Sequence, residues 1–335
     1  MSQTPSELQA VATSQASSGA GAGEGGAAIA GRSLWQIAWR RLRRDKVALA
    51  GGIVVLLFVL VAILAPLITK IYGQSYLIQH NSPPDDLLDP GTAMPLGGLG
   101  GMSSTHWFGV TPVLGQDIFS MLAYGARTSL FIGLTATALS VILGVTFGTL
   151  AGFYRGWVDG VISRFMDVLL SFPTLLFSIS LITVVAIING ANWLRFAVII
   201  FVLGFFGFPY LGRIVRGQVL SLREKEFVDA SRSLGASNLR IMFKDLTPNL
   251  VGPILVYTTL TIPNNILGEA GLSFIGVGIQ PPTVSWGGML SDAGSYFQID
   301  PMYLVFPGAA LFITVLAFNL FGDGLRDALD PRSTR

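Results

Sequence analysis

Long apolar segments without any charge constrain this chain more than any other feature. The stretch 128–153, for example, contains no Asp, Glu, Lys or Arg. A helix needs about 20 apolar residues to cross a bilayer core about 30 Å thick. Only 12% of the 335 residues are charged, whereas a soluble domain carries about 25%. The chain is therefore predicted to fold in a membrane.

Six segments are long and apolar enough to cross the bilayer. They are 47–68, 128–153, 168–194, 196–211, 246–268 and about 303–321. Pro173 lies inside the third segment, and Arg195 with the turn-like residues 189–192 separates the third from the fourth. The predicted fold is an all-α polytopic membrane protein with six transmembrane helices.

The rest of the chain divides by composition. Residues 1–31 are rich in Ala, Gly, Ser and Gln, which predicts a disordered cytoplasmic tail. Residues 32–46 form a basic cytoplasmic segment before the first helix, 69–127 an extracytoplasmic loop, and 128–335 the core with helices two to six. The first apolar run starts only at Val47 and is too long for a signal peptide, so it is interpreted as an anchor.

Basic residues predict the orientation. Of the 21 Lys and Arg residues, all but Lys70, Arg127 and Arg195 fall on the side that the six-span arrangement gives to both termini. Because basic residues accumulate in cytoplasmic loops, both termini are predicted to be cytoplasmic. The densest cluster consists of Arg40, Arg41, Arg43, Arg44 and Lys46. It is interpreted as a topology signal attracted to anionic lipid headgroups, and no nucleic-acid partner is predicted.

The composition also excludes several kinds of site. The chain has no cysteine, so disulfides, thiolate zinc sites and cysteine nucleophiles are excluded. The two histidines, His80 and His106, have no carboxylate at a familiar ligand spacing and are interpreted as solvated loop residues, without a metal. No predicted span contains the His, Cys or carboxyl pair that an intramembrane enzyme needs, so a non-catalytic role is predicted.

Three glycines recur every fourth residue in the second predicted span. Gly144, Gly148 and Gly152 therefore lie on one face of a helix, where a neighbouring helix can approach closely. Packing inside one bundle is the favoured interpretation, and contact with another subunit is the alternative.

The loop between the fourth and fifth spans contains a short amphipathic pattern. Phe227, Ala230 and Leu234 are spaced i, i+3 and i+7, which predicts a short helix with one narrow apolar stripe. Gly235 is suited to end this helix and Ser237 to cap the next one. Such a short helix is marginal by itself, so we expect it to lean on a partner.

Polar residues cluster near the outer end of the fifth predicted span. Asn264, Asn265 and Glu269 lie there, with Thr258 and Thr261 deeper in the same helix. Because polar groups inside a membrane are costly and often line a pathway, these five are candidate pathway residues. Hydrogen bonding between helices is the alternative.

Several motifs together resemble one family. Glu226, Ala230 and Gly235 match the conserved positions of the EAA loop of binding-protein-dependent permeases. Further matching segments are Phe108-Gly109-Val110, Tyr124-Gly125-Ala126-Arg127, Ser171-Phe172-Pro173, Arg216-Gly217-Gln218, Leu272-Ser273-Phe274, Gln280-Pro281-Pro282, Ser285-Trp286-Gly287 and Asn319-Leu320-Phe321-Gly322-Asp323. As a set they resemble the C-type permeases of dipeptide and oligopeptide importers across residues 33–332. Gln116 is a departure, since the family usually has arginine there.

This resemblance implies a type I ABC importer permease fold in the bacterial inner membrane. It implies a heterodimer with a second homologous permease, two cytoplasmic ABC ATPase subunits and an extracytoplasmic binding protein. The EAA loop, about 224–240, would form a coupling helix that sits in a groove of the ATPase. The residues given this role are Glu226, Phe227, Ala230, Leu234 and Gly235.

No cofactor is predicted for the chain itself. A phosphate-binding loop needs Lys after Gly, and none of the four lysines follows a glycine, so ATP and magnesium would be bound by the ATPase subunits. The resemblance implies di- or oligopeptide substrates, with a nickel chelate or glutathione as alternatives. A secondary transporter is a further alternative, but no internal repeat is evident and Glu269 is the only acid plausibly at membrane depth.

Overall fold

The computed structural model describes residues 39–81, 87–188 and 191–329. Its helices are α1 Lys46–Tyr72, α2 Ile118–Tyr154, α3 Gly156–Ser171, α4 Thr174–Ile188, α5 Asn192–Leu222, α6 Glu226–Ser233, α7 Asn238–Phe274, α8 Trp286–Ala293 and α9 Pro301–Leu329. In these ranges, β-structure is limited to two isolated bridges. The all-α class is confirmed. The predicted tail 1–31 and residues 32–38 of the basic segment lie outside the described residues.

Five helices are long and apolar enough to cross a membrane, namely α1, α2, α5, α7 and α9. The α3–α4 pair supplies a sixth span if it is counted as one, and its two halves are bent by 78°. Pro173 lies in the break, where its missing N–H and its ring prevent a continuous helix, and Phe172 before it is extended. The predicted third span, 168–194, is thereby corrected, because its helical path begins at Gly156 and breaks at 172–173.

The helices also run beyond the other predicted bounds. α2 begins at Ile118 and not at 128, so the preceding loop is shorter than the predicted 69–127. Asp117 caps this start, because its carboxylate accepts the backbone N–H of Ser120 at 2.7 Å. α5 continues past the predicted end at 211 to Leu222. Apolar runs mark only the part of a helix in lipid, since polar turns at the membrane edge stay helical.

The most extensive helix contact joins α2 and α5. Here a Cβ atom on Gly148 would lie 2.5 Å from the carbonyl oxygen of Gly212, and one on Gly152 would lie 2.8 Å from the Cβ of Val219. A Cβ on Gly144 would meet Leu211 at 2.9 Å. The structure therefore places all three glycines against a helix of the same chain, with no room for side chains between the two backbones.

α1 also packs against α9 through glycines that leave no room for a side chain. A Cβ on Gly51 would lie 2.8 Å from the carbonyl oxygen of Ala317, and Gly324 of α9 lies against Ala48. The other face of α1 exposes large apolar side chains, among them Ile53 and Ile63. An apolar face of this length without protein cover is suited to lipid or to another membrane subunit.

We expect Gly148→Val to destabilise the chain, because the added side chain overlaps the α5 backbone and overpacking costs about 1–3 kcal/mol. The apparent melting temperature of the detergent-solubilised protein should fall by several degrees, measured by fluorescence-detected gel filtration after heating. Gly160→Val is the matched control, since a Cβ on Gly160 meets no atom within 4 Å. Equal melting temperatures for the two variants would contradict this packing.

Candidate functional site

The short helix α6 is fixed to the bundle by one buried side chain. Val228 is 0% exposed. It belongs to an apolar cluster whose other buried members are Phe153, Leu211, Val215, Val219, Ile241, Met242, Leu246 and Leu250. These residues come from α2, α5 and α7, so α6 is seated where the ends of three long helices meet.

Polar contacts reinforce this seat. The guanidinium of Arg223, which follows α5, donates a hydrogen bond to the carbonyl oxygen of Phe153 at the end of α2. Arg155 and Glu224 form an ion pair of 2.6 Å. Burial lowers the pKa of the Arg223 guanidinium below its usual range. The partly buried guanidinium, held by backbone carbonyls, ties the loop to the end of α2.

The predicted coupling residues lie on the free side of α6. Leu234 is 88% and Phe227 39% exposed, and Glu226, Ala230 and Gly235 are exposed as well. Gly235 adopts a φ of 79°, the left-handed conformation that ends a helix. Ser237 then accepts the N–H of Arg240 at 3.4 Å as the next N-cap. The loop therefore presents an apolar stripe outward while Val228 holds it from behind.

Sequence reasoning missed Val228, Arg223 and Glu224. Val228 lies off the Phe227–Leu234 stripe, and a single apolar residue on a polar face gives a weak signal. Its partners at 241–250 are brought to it only by the turn at Gly235. The anchoring residues therefore became visible only in the folded chain.

The five candidate pathway residues are divided between two environments. Asn265 is buried and its side-chain amide donates to Thr137 of α2 at 2.8 Å. Glu269 is 0% exposed and accepts from Ser129 of α2 at 2.8 Å and from Ser273 at 2.7 Å. In this structure both side chains join α7 to α2 and line no open surface, which corresponds to the alternative of hydrogen bonding between helices.

The other three residues form hydrogen bonds within α7. Thr258, Thr261 and Asn264 each donate to a carbonyl oxygen one turn earlier in α7, at 2.7, 2.8 and 2.9 Å. These bonds satisfy the polar groups within their own helix, so no neighbouring helix is needed. Asn264 is exposed, and the two threonines are half-buried. Of the five candidates, these three are therefore the ones whose side chains keep accessible surface on α7.

The two histidines are buried, which corrects their interpretation as solvated loop residues. His80 and His106 are 8% and 4% exposed, and their ring centroids lie 5.0 Å apart. The Nδ1 atom of His106 is 2.9 Å from a carboxylate oxygen of Asp117, which also accepts from the Tyr72 hydroxyl at 3.0 Å. A buried carboxylate needs such partners. The loop 73–117 is thereby tied to the first turn of α2.

The segment between α7 and α8 is also held by buried polar contacts. Arg195 at the start of α5 donates to the carbonyl oxygen of Gly278 at 3.1 Å. Asn192 donates to the carbonyl oxygen of Gln280 at 2.8 Å and to Thr283 at 3.1 Å. Arg195 was predicted as a mark of a loop between two spans, and the structure shows what its side chain binds.

Comparison with known proteins agrees with this geometry. Residues 144–335 match the family described as "Binding-protein-dependent transport system inner membrane component". Residues 33–84 match the "N-terminal TM domain of oligopeptide transport permease C".

Similar curated proteins cover nearly the whole chain. The dipeptide transport system permease protein DppC of Alkalihalophilus pseudofirmus is 41% identical over 300 residues, 90% of each chain. The glutathione transport system permease protein GsiD of Escherichia coli O157:H7 is 40% identical over 90% of this chain and 91% of its own. The oligopeptide transport system permease protein OppC of Bacillus subtilis is 40% identical over 90% of each chain.

A solved structure shares the fold. A chain of the inward-facing MetNI methionine ABC transporter superposes with a TM-score of 0.52 at 19% identity, covering 64% of this chain and 98% of its own. At this identity the likeness shows the fold alone. Together with the family match and the identities near 40%, it gives one conclusion: this chain belongs to the binding-protein-dependent transport system inner membrane component family and is a multi-pass membrane permease subunit of an ABC importer.

Proposed function

We propose that this chain forms, with a second homologous permease, the membrane path of an importer for small peptides. The observation that carries the proposal is the outward-facing stripe of α6, since a helix that is seated on three membrane helices and exposes apolar side chains on its free side is suited to bind a partner. The partner would be one of two cytoplasmic ABC ATPases. ATP and magnesium would be bound there, and an extracytoplasmic binding protein would deliver the substrate.

The substrate class rests on the relatives. Their names cite dipeptides, oligopeptides and glutathione, and glutathione is itself a small peptide. We infer a di- or oligopeptide as the substrate, with glutathione as the second candidate. A nickel chelate is not a peptide, so the relatives do not favour it. A secondary transporter has no ATPase subunit, so it would give the exposed apolar stripe of α6 no partner to bind.

Coupling follows from the way α6 is attached. Val228 and Arg223 join α6 to the ends of α2 and α5, and Ile241 and Met242 join it to α7. A displacement of α6 by the ATPase would therefore be transmitted to these helices as a rigid-body movement. Because Thr261 and Asn264 lie on α7, the same movement would change access to the path. In this role α6 is in the cytoplasm, as the basic residues around it predict.

The first experiment is purification of the tagged chain from its native membrane in mild detergent. We expect a second permease, two ATPase subunits and a binding protein to be recovered with it. The purified complex in proteoliposomes should then import a labelled dipeptide on addition of ATP. Recovery of the chain alone, or ATP-independent uptake, would contradict the importer assignment and favour a secondary transporter. Uptake of glutathione without uptake of dipeptides would select the second candidate.

Contact between α6 and the ATPase is testable with a single cysteine, because the chain has none of its own. We expect Leu234→Cys, labelled with a short linker that carries a maleimide at one end and a photoreactive diazirine at the other, to cross-link to an ATPase subunit on illumination, given that Leu234 is 88% exposed. Leu57→Cys, which replaces an exposed leucine of α1, is the matched control and should give no ATPase adduct. If Leu234→Cys also gives none in the active complex, α6 is not the coupling helix.

The pathway assignment is tested by a second pair of cysteine variants. Asn264→Cys should react with a membrane-impermeant maleimide, and its rate should change when ATP and vanadate trap the complex. Asn265→Cys should stay unreactive, because this side chain is packed against α2. A nucleotide-independent rate at position 264, or equal rates at the two positions, would remove this face of α7 from the path.

A further inference from the structure

A cleft of about 600 Å³ opens at the end of the bundle that carries the loop 73–117. Its walls come from this loop, from the segment 275–285 and from α8. Its polar lining is made of amide, hydroxyl and carboxyl side chains, chiefly those of Gln79, Gln116, Gln280, Thr283, Ser291 and Asp292. None of the candidate pathway residues of α7 lies in it, so the cleft is a separate feature.

One wall of the cleft is held rigidly. Arg195 and Asn192 bind the backbone at Gly278 and Gln280. On the α7 side of this wall, the Ser273 hydroxyl accepts the backbone N–H of Ile279 at 3.2 Å and donates to the buried carboxyl group of Glu269. Burying a carboxyl group to hold a loop is costly, and a preorganised wall lowers the cost of binding a ligand. The hydrogen bonds from Glu269 through Ser273 to Ile279 therefore hold this wall in place, in addition to joining α7 to α2.

Among the described residues that line the cleft, Asp292 is the one with a charged side chain. Its side chain is open to the solvent of the cleft, yet the protein atoms around it raise the pKa of its carboxyl group. In the described part of the chain it takes part in no ion pair. A partly desolvated carboxylate without a cation gains when a ligand supplies one.

We propose that Asp292 binds the primary ammonium group of the peptide substrate in this outer cleft, before the peptide enters the path between the permeases. The proposal rests on the proposed peptide import. Dipeptides, oligopeptides and glutathione all carry a primary ammonium, so one carboxylate serves each of them. The amide and hydroxyl side chains around it can bond to peptide groups of any sequence. The cleft therefore selects for a free amino group and not for particular side chains.

The test uses the complex purified without its binding protein, with the cysteines of the partner subunits replaced by serine and Ser291→Cys, in a chain that has no cysteine of its own, as a reporter beside Asp292. The probe is the dipeptide Ala-Phe at millimolar concentration, and the readout is the rate of labelling by a membrane-impermeant maleimide. Ala-Phe should slow the labelling, and N-acetyl-Ala-Phe, which lacks the ammonium, should not. Adding Asp292→Asn should raise the concentration for half-protection about tenfold, the usual scale for losing a charged hydrogen bond.

Three controls keep the result specific. Asp292→Glu should retain the protection, because it keeps the charge. Asp89→Asn, in the loop 73–117 but not among the residues that line the cleft, should leave the protection unchanged. Val284→Cys, another residue of the cleft wall, is a second reporter if Ser291→Cys fails to assemble.

The possible outcomes separate the two proposals. Equal protection by both peptides, or protection that survives Asp292→Asn, overturns the ammonium site even when the complex imports dipeptides. Failure of the unmodified complex to import any peptide overturns the proposed function itself.

Discussion

The close approach of α2 and α5 is the contact on which the rest of the structure depends. In lipid, apolar side chains gain nothing by leaving their surroundings for a neighbouring helix, so association relies on tight packing and internal hydrogen bonds. Gly144, Gly148 and Gly152 let the α5 backbone lie where side chains would otherwise stand. With α2 and α5 joined, α7 packs beside α2, and the ends of all three form the seat of α6.

Hydrogen bonds from polar side chains are the second interaction that holds the helices together. Asn265 and Glu269 bind α2 from α7, while Arg195 and Asn192 bind the segment after α7 from α5. The contacts of Asn265 and Glu269 are buried and those of Arg195 and Asn192 are partly buried, so all four restrict how these segments pack. The outer cleft and the α7 face therefore keep a fixed relation to each other. A peptide in the cleft would lie at the end of the same helix whose other face is offered to the path.

Sequence patterns predicted most of the fold. Apolar runs located the five long apolar helices of the described chain, and Phe227, Leu234 and Gly235 indicated a short exposed helix that ends at Gly235, as the structure has it. The bounds were less accurate, because helices such as α2 and α5 continue through polar turns beyond the lipid. The third span was displaced, since its first half, α3, carries charged residues that an apolar count rejects. The histidines were misjudged because His106 meets Asp117, and His80 meets His106, only after the loop folds back on α2.

The sequence by itself determined that this chain spans a membrane, that it is helical, and that a short amphipathic helix lies between two spans. Those properties follow from local composition and periodicity, which can be read from one segment without knowing which other segment packs against it. Only the tertiary structure decided which polar residues are buried inside the chain and which are free. Asn264 and Asn265 are neighbours in sequence, yet one faces outward and the other binds Thr137. The difference arises because burial depends on which helix lies alongside, and that is set by packing between segments more than 100 residues apart, as in the Asn265–Thr137 bond with its separation of 128.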